Sequence, residues 1–446
     1  MTDLFSIGAS GLRAYRASLA VVGDNIANAQ TAGYARRSVR LSEVSITGAP
    51  DFRYRNRARF DGVDISATVR ASDTWRTSDA RLASSAHGRS VTGATWMIAT
   101  ETALSDGETG TGASLARMFA SGSALAADPL GRAPRSAFLA SIDIAAQSIR
   151  TNASELAHVA TGIAQGAQAS VDGINSNLSA LANLNLAIRR TSAGSTANAE
   201  LSDQRDRLID SIAAQTDVTV AVAADGSATL TRAGQTLVAD GDAATLTLSV
   251  AANGRLAFTQ SFNAATTTFT PGGGAIGGLT ISANTVADRR TALDTLATDL
   301  ATTLNTWHAS GRTPANTSGG PLLDAAGGAA ALTLLVSDPT QVAAADPAGV
   351  ANGNALALSG VRTASGVENQ WAALVASQAQ NTASARADVG RTAARKDTAD
   401  AARDMVEGVD LDREAADLIR FQQAYDASAR IIQMAKETVD TILRLF

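Results

Sequence analysis

Cysteine is absent from this chain of 446 residues. Its absence excludes disulfide bonds, thiolate nucleophiles and thiolate metal sites. Two explanations remain open: the genome uses little cysteine in general, or the protein passes from a reducing to an oxidising compartment and avoids mispaired thiols. Long apolar runs are absent too, since none reaches 18 residues. We therefore expect no membrane-spanning helix and no membrane insertion.

Positive charge is not in excess, with 37 Lys and Arg residues against 42 Asp and Glu residues and a net charge of −5. This balance argues against nucleic acid as a partner. We interpret the arginine-rich stretch at 53–59 as a solvated face for the same reason. The first nine residues hold no basic cluster followed by an apolar run, so we expect no ordinary secretory signal peptide.

Recognisable catalytic patterns are also missing. The three histidines are far apart in sequence and form no zinc-binding pair. Neither of the two lysines follows a glycine-rich loop, as a phosphate-binding loop requires. The glycine-rich stretch 107–112 lacks the preceding strand of a dinucleotide site, and we interpret it as a turn. The sequence therefore predicts no enzyme, no catalytic residues, no metal site and no cofactor.

Two groups of carboxylates follow helical spacing. The first has no glycine turn after it, so helix capping is favoured over a calcium loop. It consists of Asp410, Asp412 and Glu414. The second lies beside Arg205 and Arg207, and we interpret it as a solvated helix face. It consists of Asp203, Asp206 and Asp210.

Both ends of the chain carry apolar residues at alternating spacings of three and four, the period of packed helices. The predicted N-terminal assembly seam contains Phe5, Leu12, Tyr15, Leu19, Val22 and Ile26. The predicted C-terminal assembly seam contains Leu411, Leu418, Ile419, Phe421, Tyr425, Ile432, Met434, Val439, Leu443 and Phe446. The period alone fits either a helix pair within one chain or assembly with other copies. Because isolated helices are marginal in water, we expect both ends to be mobile in the free subunit.

Between the ends, helical spacing alternates with one block of strand spacing. Asp3 is a candidate N-cap of the first helix, and Asp410 or Asp412 of the last. Residues 218–282 alternate apolar and polar positions, with Asp225-Gly226 and Asn253-Gly254 at predicted hairpins.

The fold class expected from these patterns is mainly α with an inserted antiparallel β domain, elongated and multi-domain, with the terminal helices paired as a coiled coil. The predicted domains are the N-terminal half of the coiled coil, a helical rod-like domain that starts with an extended segment, a small β domain, the returning helical domain with loops at 310–360, and the C-terminal half of the coiled coil. Their ranges are 1–35, 36–215, 216–283, 284–407 and 408–446.

A short motif at the end of the first helix resembles that of the bacterial flagellar axial proteins, the rod, hook and hook-associated proteins. Its residues are Asn25, Ala27, Asn28, Thr31, Gly33 and Tyr34. The segments 409–425 and 201–208 are most similar to the hook-associated protein of the first hook–filament junction. In this family, Asn25 and Asn28 would form side-chain hydrogen bonds within and between subunits.

The resemblance implies an extracellular structural protein at the hook–filament junction, whose terminal helices line the flagellar axis. The implied partners are copies of itself in a ring, the hook protein and the second junction protein (hook-associated protein 3). It also implies export from the cytoplasm by the type III export apparatus, with a flagellar export chaperone on the C-terminal helix.

Three alternatives remain open from the sequence. A hook or distal-rod protein of the same family is disfavoured by the C-terminal match. A helical coiled-coil adhesin or signalling protein would explain the heptads but not the motif. A wall hydrolase would need a catalytic group that the sequence does not show.

Overall fold

The computed structural model describes residues 2–45 and 60–444. Phe446 and the stretch 53–59 lie outside the described residues. Most of the described chain is helical, and its long helices are α1 Thr2–Ala27, α2 Thr74–Ala103, α3 Thr111–Ala127, α4 Arg132–Arg189, α5 Thr196–Gln215, α6 Gly274–Ser310, α7 Gly353–Ser365, α8 Val367–Glu407 and α9 Leu411–Leu443.

A helical body forms around α4, which has 58 residues and is about 87 Å long at 1.5 Å per residue. The sequence places an apolar residue every seven positions along it, and these side chains are fully buried: Ile142, Ile149, Leu156 and Ile163. They pack against α3, α6 and the loops after α6. The heptad pattern therefore identified the core-facing side of this helix.

Antiparallel strands interrupt the helices between α5 and α6. Their bounds are β3 Thr219–Val222, β4 Ala228–Arg232, β5 Gln235–Ala239, β6 Asp242–Ala243, β7 Thr245–Val250, β8 Leu256–Phe262 and β9 Ala265–Phe269. They form a four-stranded and a three-stranded sheet, each in sequence order. The two predicted hairpins are confirmed, since β3 pairs with β4 and β7 pairs with β8.

A two-stranded ribbon joins the first helix to the helical body. It consists of β1 Arg37–Ser45 and β2 Phe60–Arg70, which pair antiparallel and pack along α1. A short pair, β10 Leu323–Asp324 with β11 Thr333–Leu334, lies in the loop-rich segment after α6. The two terminal helices, α1 and α9, pack against each other. The predicted fold class is thus confirmed, whereas the predicted domain limits stay predictions.

Several predicted boundaries are wrong for local reasons. Helix α1 begins at Thr2, so Asp3 lies inside it and is not its N-cap. The strands of the inserted block end at Phe269 and α6 begins at Gly274, so the strand pattern predicted over 218–282 extends too far. The spacing of apolar residues also predicts a helix over 363–404, but α8 begins only at Val367, because Gly366 adopts a left-handed conformation (φ 62°) and separates α8 from α7. The sequence also predicts that Pro134 breaks a helix, but Pro134 sits in the first turn of α4, where proline is tolerated.

Candidate functional site

The motif residues form a compact turn at the end of α1. The side-chain amide of Asn28 donates to the carbonyl of Asp24 (3.0 Å), and the Thr31 hydroxyl donates to Asn28 Oδ1 (3.2 Å). Gly33 adopts φ 72° and lies against the aliphatic part of Arg207 on α5. A side chain at position 33 would be strained by the backbone and would collide with Arg207. The turn therefore sets how α1 meets the helical body.

Asn25, in the last turns of α1, is fully buried and makes four side-chain hydrogen bonds. Its Nδ2 donates to the carbonyl of Arg37 (2.8 Å) and to Glu414 Oε2 (3.0 Å). Its Oδ1 accepts from the Tyr34 hydroxyl (2.8 Å) and from the backbone N–H of Arg37 (3.0 Å). Both donors and both acceptor positions of the amide are thus used.

Glu414 brings the C-terminal helix to the same point. Its side chain is 0% exposed, and its Oε1 accepts a hydrogen bond from Arg36 Nε at 2.6 Å. Arg36 also reaches Asp417 one turn further along α9 (3.3 Å). A buried carboxylate needs such partners, because an unpaired charge is costly to remove from water. We call the group Asn25, Tyr34, Arg36, Arg37 and Glu414 the hub.

A row of ion pairs continues from the hub into the helical body. Arginines from the ribbon, α2 and α8 alternate along it with three carboxylates of α5. The pairs, in order, are Arg37–Asp203 at 2.6 Å, Arg70–Asp203 at 2.5 Å, Arg70–Asp206 at 2.6 Å, Arg81–Asp206 at 3.2 Å, Arg81–Asp210 at 2.6 Å and Arg403–Asp210 at 3.2 Å. Five elements are therefore tied together by charge.

This row corrects the prediction of a solvated face on α5. Asp203 and Arg205 are buried, and Asp206 is half-buried. The spacing of three and four between the carboxylates did place them on one helix face, but a single sequence does not show which arginines will meet that face. Arg36, Arg37, Arg70 and Glu414 were missed as site residues for the same reason.

Two pKa shifts follow from this packing. Burial raises the pKa of the Tyr34 hydroxyl from its usual 10.0 to about 12. Burial alone would also raise the pKa of Asp206, but the guanidinium groups of Arg205, Arg70 and Arg81 outweigh it and hold that pKa below its ordinary 3.8. Tyr34 is therefore kept protonated as a donor, and Asp206 is kept ionised.

The paired terminal helices approach each other closely through small residues. Gly8 faces Ile432, and Gly11 faces Ser428. Further towards the hub, the rings of Tyr15 and Phe421 lie 6.5 Å apart. The buried side chains of α9 are few and small or hydrogen-bonded: Glu414, Ser428 and Ala435.

The pairing of α1 with α9 buries the residues of the predicted seams to different extents. Val22 is buried, and the half-buried members are Leu12, Tyr15, Leu19, Leu418, Phe421, Tyr425, Ile432 and Val439. The exposed members are Phe5, Ile26, Leu411, Ile419, Met434 and Leu443. Ala27, from the motif, is exposed as well. The role of both seams in assembly stays a prediction.

Neither a metal-binding cluster nor a membrane-spanning helix is found in the part of the chain that the structure describes. Within residues 2–45 and 60–444, no group of three or more His, Cys, Asp or Glu side chains is arranged to hold a metal ion. None of the described helices is long and apolar enough to cross a bilayer. His308 is buried as part of the core, where its Nδ1 bonds the carbonyl of Gly320 (2.6 Å) and its Nε2 accepts from the N–H of Ala343 (2.9 Å).

Asp410 caps α9 as predicted, since its side chain accepts from the N–H groups of Asp412 and Arg413. Asp412, the other candidate cap, lies within the first turn. Glu414 is not part of the cap but belongs to the hub.

Three family models match the sequence. The helical domain of flagellar hook-associated protein FlgK matches residues 97–323, about half of the chain. The flagella basal body rod protein model matches residues 5–34, and the C-terminal model of the flagellar basal body rod FlgEFG proteins matches residues 406–445. The last two matches cover the terminal helices and the motif turn.

Similar proteins carry related names. The chain is 29% identical to flagellar hook-associated protein 1 of Salmonella typhimurium over 53% of this chain and 43% of that protein, so the match spans less than half of that relative. It is 25% identical to flagellar hook-associated protein 1 of Bacillus subtilis, over 97% of this chain and 96% of that protein. The structure of the flagellar hook junction protein FlgK from Burkholderia pseudomallei shares the fold over 55% of this chain and 46% of that one, with a TM-score of 0.50 and 20% identity.

Proposed function

We propose that this chain, which belongs to the family of flagellar hook-associated protein FlgK, is a structural, non-enzymatic component of the bacterial flagellum at the junction of hook and filament. In this proposal, the terminal helices of many copies pack side by side around the flagellar axis, and the helical body and β sheets face outward. Such a protein acts through its shape, as an adaptor: one face fits the hook, and the other binds the next junction protein.

The observation that carries the proposal is the apolar surface that the terminal pair leaves open. Ile419 is 56% exposed, Met434 59% and Leu443 69%, although each occupies a position of the C-terminal seam. Exposed apolar side chains on a surface helix are expected to pack against another protein. The neighbouring seam residues Leu411, Leu418, Tyr425, Ile432 and Val439 repeat every seven residues, which favours a further helix as that partner.

The proposed partners follow from this surface. Copies of the same chain cover most of the seam in a ring, the hook protein lies on one side, and the second junction protein (hook-associated protein 3) lies on the other. Before assembly, an export chaperone covers α9 and the type III export apparatus carries the chain out of the cytoplasm. If Leu418→Asp with Ile432→Asp left chaperone binding intact, the chaperone assignment would be wrong.

A deletion strain tests the function. Hooks of normal length without filaments, together with flagellin lost to the medium, are expected in cell-surface electron micrographs and immunoblots. If the deletion strain lacked hooks, the protein would instead be assigned to the rod or the hook. Intact, motile flagella in a strain with no second gene copy would refute the proposal.

Complementation of that strain tests the seam. Ile419→Asp with Met434→Asp is expected to leave the purified chain folded but to restore no filaments, because both side chains are exposed in the single chain and buried only on assembly. Leu130→Asp is the matched control, since Leu130 is 71% exposed in the turn before α4. If both variants restored filaments equally well, the C-terminal seam would not be an assembly surface.

A further inference from the structure

Arg232, the last residue of β4, is a buried arginine that forms no ion pair within residues 2–45 and 60–444. It is 3% exposed, its Nη2 donates to Gln260 Oε1, and its guanidinium lies over the ring of Phe269. Its Nη1 is also buried but has no hydrogen-bond acceptor in this described part of the chain. Buried polar groups normally have such a partner, so this donor needs an explanation.

The other arginines that the described chain buries show what Arg232 lacks. Arg37, Arg81 and Arg205 each pair with at least one carboxylate of α5. Arg135 donates instead to three backbone carbonyls. Burial lowers the pKa of Arg232 to about 10, so its side chain is still charged at neutral pH. A buried charge without a partner is costly, and an anion beside it would offset that cost.

A pocket of about 150 Å³ lies between α2, the end of α5 and the first strands of the β sheet, and Arg232 is part of its wall. A single water needs about 10–15 Å³ of such space, so the pocket has room for a small molecule. Ser85 and Asp217 line this pocket and also a larger groove between α2 and α8. The groove therefore gives a ligand a route to the pocket.

The charged groups of the pocket wall favour a singly charged anion. Arg81 already pairs with two carboxylates of α5, so Arg232 carries the spare positive charge. Ser85 is buried, and its hydroxyl forms no hydrogen bond within the described chain, so it is available as a second donor. Asp217 acts on Arg232 through its charge without forming an ion pair. Its negative charge would repel a doubly charged anion more strongly than a singly charged one.

We propose that this pocket binds a small monocarboxylate. The carboxylate accepts hydrogen bonds from Arg232 Nη1 and from the Ser85 hydroxyl, and its apolar end lies among the apolar residues of the wall, which include Leu82 and Ala213. The bound molecule thereby links β4 to α2. The proposal concerns the single chain and does not depend on where the chain acts in the flagellum.

Ligand-detected NMR on the full purified chain tests the proposal, with acetate as the probe. Saturation transfer from the protein to the acetate methyl group is expected at neutral pH, with sodium chloride holding the ionic strength constant. Arg232→Met removes the charge from a side chain of similar length, and the transfer should fall at least about fivefold. Arg189→Met is the matched control, because Arg189 is 40% exposed and pairs with Asp240 at the surface. This variant should bind acetate as the wild type does.

Asp217→Asn gives a second test with the opposite sign. It removes the repelling charge and keeps the shape of the side chain, so the dissociation constant of acetate should fall at least about threefold. A general loss of stability would not tighten binding. This variant also keeps the test valid if Arg232→Met does not fold.

Four results would overturn the proposal. The absence of saturation transfer in the wild type would mean that only water enters the pocket. Equal transfer in the wild type and in Arg232→Met would mean that acetate binds elsewhere. Unchanged or weaker binding in Asp217→Asn would place the acetate away from the pocket. Stronger competition by sulfate than by formate would mean that the site takes doubly charged oxyanions rather than carboxylates.

Discussion

The helical body and the terminal pair both carry apolar residues at heptad spacing, but they bury these residues to different extents. In the body, the repeating residues of α4 from Ile142 to Ile163 are fully buried by α3, α6 and the following loops. In the terminal pair, the seven-residue repeat of α9 from Leu418 to Val439 is only half-buried, and seam residues beside it, such as Ile419, are exposed. The same sequence period therefore marks a core completed within the chain in one region and a partly open surface in the other.

The difference teaches that polar contacts hold the terminal pair to the body. Hydrophobic burial scales with the apolar area removed from water, and the single chain removes little of it at α9. The hub and the row of ion pairs instead fix the geometry. The terminal pair is thus positioned by charge and hydrogen bonds, and part of its apolar surface stays exposed in the single chain.

The largest expected effect comes from breaking the row of ion pairs. Asp203→Asn removes one charged partner from the buried Arg37 and from the half-buried Arg70, and we expect the free energy of unfolding to fall by about 3–5 kcal/mol in urea titrations. Asp240→Asn is the control, because Asp240 pairs with Arg189 at the surface and is 77% exposed. A loss below about 1 kcal/mol is expected there. If both variants lost the same free energy of unfolding, the buried row of ion pairs would stabilise the fold no more than a surface ion pair does.

The next test compares the two apolar regions directly. Leu156→Ala opens a cavity in the core of the body and should lower the free energy of unfolding by about 3 kcal/mol. Ile144→Ala, on the exposed side of the same helix, and Ile419→Ala, on the terminal pair, should each change it by less than about 0.5 kcal/mol. A large loss in Ile419→Ala would show that the single chain already buries that seam.

A smaller effect is expected at the motif turn. Gly33→Ala meets both an unfavourable φ and the side chain of Arg207, and should cost about 1–3 kcal/mol in thermal or urea unfolding. Gly234→Ala is a matched control, since Gly234 has φ 80° but no neighbour within 4 Å of an added Cβ. The difference in stability loss between Gly33→Ala and Gly234→Ala measures the clash with Arg207, and adding Arg207→Ala to Gly33→Ala should restore that part of the stability. If the two glycine variants lose the same stability, Gly33 is needed only for its backbone conformation.

The mildest test is alkaline pH. Because the pKa of Tyr34 is about 12 in the folded chain and about 10 when unfolded, the unfolded chain loses this proton first as pH rises. The contribution of Tyr34 to stability is therefore complete below about pH 10 and is lost between about pH 10 and 12. Unfolding midpoints of the wild type should fall over this range more than those of Tyr34→Phe. Parallel curves for the two chains would contradict the role of Tyr34 as a half-buried hydrogen-bond donor.

Much of the architecture was predictable because it depends on local spacing. The heptads located α4 and its buried side, Asp-Gly and Asn-Gly located two hairpins, and the motif located the turn after α1. The prediction of a solvated α5 face was wrong because the partners of Asp203 are Arg37 and Arg70, more than 130 residues away in sequence. No local pattern shows that two distant arginines will meet one carboxylate.

The sequence by itself determined the helical periods, the turn chemistry of Gly33 and the absence of cysteine chemistry, since each depends only on residue type and spacing. Only the tertiary structure decided which apolar stripes close into a core and which charges become buried. It also turned Glu414 from a candidate capping residue into the centre of the hub. The physical reason is that burial and pairing belong to neighbours in space, and the neighbours of Glu414 come from the other end of the chain.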